Sequence, residues 1–146
     1  MRRLPLDRAW PGLPLLFLAL AVVVALIGIV AAPTPTDAER IEDTLHDFAA
    51  ALQERRGEDA CALLTPAVQQ AATARTGTLD CPATARSFGL GIDPARLRVA
   101  RVAGVQVADD RATIAREQLL VPDGEPFGGV TTLERIDGRW RIATLP

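Results

Sequence analysis

The chain offers little to acid–base, nucleophilic or metal chemistry. Among 146 residues it has one histidine, His46, two cysteines, Cys61 and Cys81, and no tyrosine. His46 is the obvious proton carrier, since imidazole titrates near neutrality. It lies beside an apolar stripe and one helical turn after Glu42, so the spacing predicts a solvated helix-face histidine with a Glu42 neighbour. Asp43 and Asp47 read as the same solvated acidic face, not as a carboxylate dyad. Asp109–Asp110 reads as a turn. Ser87 has no paired base. Gly89–Leu90–Gly91 lacks the preceding strand that a phosphate loop needs. No catalytic residue, metal ligand set or cofactor motif is assigned.

The cysteines carry the firmer expectation. They stand twenty apart in a segment predicted to face an oxidising space. Zinc would need more ligands than one histidine supplies, and a redox pair more often reads Cys-x-x-Cys. A structural disulfide between Cys61 and Cys81 is expected, stabilising the fold by about 3 kcal/mol.

The compartment follows from the first third of the chain. Arg2, Arg3 and Arg8 precede a run from Ala9 to Thr36 that carries no charge. Within it, Leu13–Ala32 would form about 30 Å of apolar helix, the thickness of a bilayer's hydrocarbon core. Pro14 falls in the first turn, where a missing N–H costs little. Trp10 sits at interface depth. The positive-inside rule then puts 1–12 in the cytoplasm and everything after Ala32 outside. The competing reading is a signal peptide cut after Ala31 or Ala32. Its apolar region would usually be shorter, and Pro33 disfavours that cut. The expected protein is therefore a single-pass membrane protein: residues 13–32 span the bilayer, 33–36 form a stiff Pro/Thr linker of about 10 Å, and 37–146 form one extracytoplasmic domain.

Elements to position these residues can be read off the periodicities. Thr36 and Glu39 have capping-box spacing, and Ile41, Leu45, Phe48 and Leu52 recur at helical spacing up to a stop at Gly57. Asp59–Leu64 and then Thr65–Pro66 to about Arg75 read as helix, followed by a short helix from Asp80 towards Gly91. After Asp93–Pro94 the period changes to two. Leu97–Val107, Arg111–Val121, Gly129–Ile136 and Arg139–Leu145 read as strands. Asp137–Gly138 is a type I′ hairpin turn, pairing Leu133 with Ile142, Glu134 with Arg141 and Arg135 with Trp140. Trp140 is expected in the core with Arg135 stacked on its ring, or else in a pocket wall. Val121–Gly129 is expected as a mobile loop, or as a lip on which Phe127 closes over a ligand. The class is α+β, about three helices on a curved antiparallel sheet of about four strands.

This order, with the strings "DACALLTPAVQQ", "LDCPATA" and "LERIDGRWRIATL", resembles the nuclear transport factor 2-like superfamily. The likeness is to its small bacterial members, membrane-anchored or secreted, and covers about Asp37 to Leu145. It implies a cone of helices packed into the sheet's concave face. It also implies either a non-enzymatic binding or assembly module, partnered by an envelope complex or an amphiphilic ligand, or a small isomerase or dehydratase acting on a hydrophobic substrate. It transfers no catalytic residue. The acidic exterior, with 13 arginines against 17 acids after Thr36, argues against nucleic acid.

One binding surface is expected from register alone. If Asp109–Asp110 is a two-residue turn, Val107 pairs with Ala112, Val105 with Ile114, Ala103 with Arg116, Arg101 with Gln118 and Val99 with Leu120. Arg101, Arg116 and Gln118 would then converge on the core face and receive an acidic headgroup, with Trp140 in the wall. Otherwise a bulge at Ala103–Gly104 turns Arg101 outward, or helix acids neutralise both arginines.

Overall fold

A computed structural model describes residues 34–87 and 91–145. The expected membrane span, Leu13–Ala32, and residues 88–90 at the expected end of the third helix lie outside them. No helix among the described residues is long and apolar enough to cross a membrane. From Pro35 on, the described residues form one compact unit.

The class is α+β, with two antiparallel sheets instead of one and more helices than expected. Helix α1 (Asp37–Gln53) starts where the capping box puts it. The Thr36 hydroxyl accepts from the Glu39 N–H at 3.3 Å, and Glu39 accepts from the Thr36 N–H at 2.7 Å. That backbone bond, helped by the Thr36 hydroxyl, holds the Glu39 carboxyl below its ordinary range. The predicted stripe is the buried face: Ile41, Leu45, Phe48 and Leu52.

The helix ends before Gly57. Arg55 takes the left-handed conformation (φ 56°) expected of a terminating glycine. Gly57 instead opens α2 (Gly57–Ala62). A Cβ there would stand 2.3 Å from the Pro82 carbonyl oxygen, so the glycine serves a backbone contact with α4 (Cys81–Arg86).

Between them runs α3 (Pro66–Thr76), closed by Gly77 at φ 66°. Asp80 caps α4 through the Ala83 N–H at 2.7 Å. The expected strand from Leu97 is partly replaced by a short helix, α5 (Pro94–Arg98). Asp93 accepts from the Ala95 and Arg96 N–H groups, Pro94 fills the first turn, and Leu97 is buried. This helix packs on α1.

The remaining elements are β1 (Arg101–Val102), β2 (Gln106–Ala108), β3 (Arg111–Ile114), a 3-10 turn (Arg116–Gln118), β4 (Leu119–Leu120), β5 (Thr131–Ile136) and β6 (Arg139–Thr144). They form one sheet in the order β2-β3-β5-β6 and a two-stranded sheet β1-β4. The closing hairpin has the predicted register, with Asp137 and Gly138 at φ 52° and 75° as a type I′ turn demands. Beyond it, the edge of β6 is occupied by the chain's own backbone: Thr65 N–H reaches Ile142 O at 3.0 Å and Ile142 N–H reaches Leu63 O at 2.8 Å.

The long hairpin of the sequence reading breaks in its middle. Val107↔Ala112 forms as expected, but Arg101 pairs with Leu120, not Gln118, and Val102 pairs with Leu119. The 3-10 turn interrupts the second strand: the register shifts by two residues, and the non-extended backbone of the turn reverses which face the side chains take. Ala112 and Ile114 are buried before the turn; Leu119 and Val121 are buried after it. Gln118 stabilises the break, its side-chain oxygen accepting from the Ala115 N–H at 3.3 Å. Its amide lies 2.8 Å from where a Cβ of residue 104 would be, so Gly104 makes room for it.

Candidate functional site

The phase reversal decides the expected anion site. In an unbroken strand, Arg116 and Gln118 would follow Ile114 onto the core face. The turn gives that face to Leu119 and sends Arg116 into solvent. Across the ladder, Val102 shares the core side with Leu119, which turns Arg101 outward. Both arginines are exposed and Gln118 is half-buried in a backbone role. The structure therefore does not bring Arg101, Arg116 and Gln118 together on the core face. Among the described residues, no buried cation is left to demand an acidic ligand. A hollow of about 500 Å³ does lie beside Arg101, Leu120 and the Val121–Gly124 turn, on the outer surface, and Arg116 does not line it.

Trp140 is buried, and Arg135 stacks on it with its guanidinium carbon 4.5 Å from the ring centre. The pair is anchored to the start of α1: Arg135 meets Asp37 at 2.7 Å, and the indole N–H reaches the same carboxylate at 3.4 Å. Asp110 lies 3.8 Å from the Arg135 Nε. This cluster joins the first residue of the first helix to the last hairpin. The expected stacking holds.

His46 is not a free surface histidine. Its Nε2 lies 2.7 Å from the Ala100 carbonyl oxygen, and since a carbonyl only accepts, that nitrogen carries a proton. The ring is half-buried and ties α1 to the chain just after α5. The expected solvated neighbour, Glu42, is not its partner in any bond between described residues; the segment packed alongside offered a better one. We predict that His46→Ala lowers stability by about 1 kcal/mol, the usual net worth of one such bond. Chemical denaturation would show this as a lower midpoint. Any binding activity should stay within a few-fold, and a hundredfold loss would make His46 a functional group.

The Val121–Gly129 loop does not raise Phe127 as a lip. Phe127 is inserted among the core side chains. Its N–H donates to Leu119 O at 2.7 Å, and Val121 N–H donates to Glu125 O at 3.0 Å. Arg96 adds contacts to Glu125 (3.7 Å) and to the Phe127 ring (5.9 Å). An aromatic side chain with this much area to bury outweighs the local freedom of the surrounding glycines.

Cys61 and Cys81 are joined, with their Cα atoms 6.0 Å apart, and tie α2 to the first residue of α4. The disulfide lies next to the Gly57–Pro82 contact and closes the same joint. Asp43 and Asp47 are exposed, in keeping with a solvated face. Among the described residues, no three His, Cys, Asp or Glu side chains converge as metal ligands.

The interior has little chemistry to offer. Among the described residues the buried side chains are aliphatic or aromatic, apart from the disulfide and four threonines, Thr44, Thr65, Thr84 and Thr131. Thr131 alone of these has a buried hydroxyl without a hydrogen-bond partner. Neutral hydroxyls of pKa far above 7 are poor acids and poor bases without a neighbour to activate them.

No family model, curated protein or solved structure matches the chain.

Proposed function

We propose that the protein is a non-catalytic binding or assembly module, held at the cell membrane by Leu13–Ala32 with the Asp37–Leu145 domain outside the cytoplasm. One observation carries the non-catalytic part. The described interior is filled by Ile41, Leu45, Phe48, Ile114, Leu133 and Ile142 and places no carboxylate or imidazole inside. A site for an isomerase or dehydratase would need an ionisable group facing an enclosed cavity. Work is then left to the surface, and the partner is a protein of an envelope complex rather than a molecule swallowed by the core. The location rests on the apolar run, the arginines on its N-terminal side only, and a disulfide suited to an oxidising space.

The test is made on the full chain in its own cells. Membrane fractionation with mass measurement should find the intact chain in the membrane. A protease added to the outside should remove the domain. In-cell crosslinking should join the domain to a partner in fixed stoichiometry. A soluble species beginning near Ala32 or Pro33, or a domain protected from external protease, overturns the placement. Saturable turnover of a small hydrophobic substrate, lost on a single side-chain change, overturns the binding reading.

A further inference from the structure

The outer face of the small β1–β4 sheet is not the polar surface that a solvent-facing ladder usually shows. Arg101 stands directly opposite Leu120, and both face outward because Val102 and Leu119 take the core side. They line the hollow of about 500 Å³ together with Ala103 and Pro122, a volume in the range of small-molecule sites. One wall is the turn from Val121 to Glu125, and it is held in place before any ligand arrives. Val121 N–H reaches Glu125 O at 3.0 Å, and Gly124 N–H reaches Val121 O at 2.8 Å. The side chains of Val121 and Phe127 root it in the core.

Charge selects the ligand. Arg101 has no hydrogen bond or ion pair with any described residue. The acids of the neighbouring turn are engaged elsewhere: Glu125 meets Arg96 at 3.7 Å, and Asp123 accepts from the Glu125 N–H at 3.3 Å. Arg98 donates to the uncharged Gln53 at 2.9 Å. Residues 94–108 hold three arginines and no acid, within a domain that is acidic as a whole. A guanidinium at the rim of an apolar hollow suits a carboxylate, which it can grip through two parallel N–H···O bonds. A phosphate group brings up to two charges and three acceptor oxygens, more than one guanidinium satisfies.

We infer that this hollow binds a monocarboxylate carried on a short aliphatic body. Arg101 takes the carboxylate, and Leu120, Ala103 and Pro122 cover the body. The body leaves water for an apolar wall, while the charged end stays at the rim, where its remaining lone pairs are still hydrated. The same chemistry comes from two sources, a free branched-chain acid or the last residue of a peptide that ends in leucine.

The experiment uses the full chain in lipid nanodiscs, with empty nanodiscs as the blank, and two water-soluble probes. These are 4-methylpentanoate and the peptide acetyl-Ala-Ala-Leu with a free carboxylate. Line broadening of the probe's proton signals should show saturable binding of at least one, with a Kd on the order of 1 mM for so few atoms. The uncharged amide of the same probe should bind about tenfold more weakly, and Arg101→Gln should cost a similar factor. Ala103→Leu puts a side chain into the hollow and should abolish binding, while Arg116→Gln, outside the hollow, should change it less than twofold. All three residues are exposed, so the melting temperature should hold in each variant. Binding of the acid alone assigns the site to a free acid; tighter binding of the peptide assigns it to a chain end. Saturable binding of neither probe, equal binding of the amide, or binding that survives Arg101→Gln or Ala103→Leu overturns the inference.

Discussion

Replacing Cys61 and Cys81 together by alanine should lower the stability of the domain by about 3 kcal/mol. The bridge closes a stretch with a sequence separation of 20. Without it the unfolded chain regains the freedom of that stretch, while the folded joint loses its covalent tie. For a domain of this size the loss corresponds to a melting temperature lower by roughly 10–20 °C. The wild-type protein should fall by the same amount on adding reductant, and the double variant should not respond to it. Two free thiols titrated in the unfolded, unreduced wild-type chain would show that the bridge does not form. A double variant melting within about 2 °C of the wild type would show that α3 and its flanking turns are already held by packing.

The second large effect is expected at Gly57, where two rules give opposite signs. Helix propensity favours alanine over glycine inside a helix by up to about 1 kcal/mol. Packing opposes it, because the added methyl would stand 2.3 Å from the Pro82 carbonyl oxygen, a backbone atom that cannot rotate away. The α2 and α4 backbones would have to separate, against the neighbouring disulfide. Gly57→Ala should therefore destabilise by about 2–3 kcal/mol, in the range of other overpacked sites. Gly77→Ala is the comparison. Gly77, unlike Gly57, has positive φ but nothing within 4 Å of an added methyl, so its cost is the left-handed strain alone, about 1 kcal/mol. Urea unfolding of both variants decides the matter. If Gly57→Ala costs no more than Gly77→Ala, the close approach of the two helices is wrong. The two joint sites should also couple. With the disulfide removed, the helices can part more easily, so the Gly57→Ala penalty should shrink.

Several features are legible in the sequence because they depend on neighbours along the chain. The start of α1 is set by Thr36 and Glu39, three residues apart, and its buried face by the spacing of Ile41, Leu45, Phe48 and Leu52. The β5–β6 register follows from Asp137–Gly138, since a two-residue turn leaves one pairing. The stacking of Arg135 on Trp140 follows from that register. With only two cysteines, an intramolecular disulfide has one possible pairing. In each case a short-range geometric rule has a single solution.

The candidate site was less legible, because its residues depend on which face a strand presents after a break. The string Arg116-Glu-Gln-Leu-Leu-Val121 puts two leucines side by side, so its alternation fits either phase. Burial of Leu119 and Val121 against the core selected the phase that sends Arg116 outward, a choice made by the helices packed opposite and not by the strand itself. Gly57 looks like a helix stop when only its own neighbours are considered. The carbonyl that makes it necessary belongs to Pro82, 25 positions away. His46 found its partner at Ala100, 54 residues on. Phe127 left a glycine-rich loop for the core because burying an aromatic ring outweighs loop entropy. Residues close in the chain set the local pieces: caps, stripes, a hairpin turn and a disulfide pair. Tertiary structure decided phase, close approach and which polar groups meet, because those are settled by atoms far along the chain competing for one small interior.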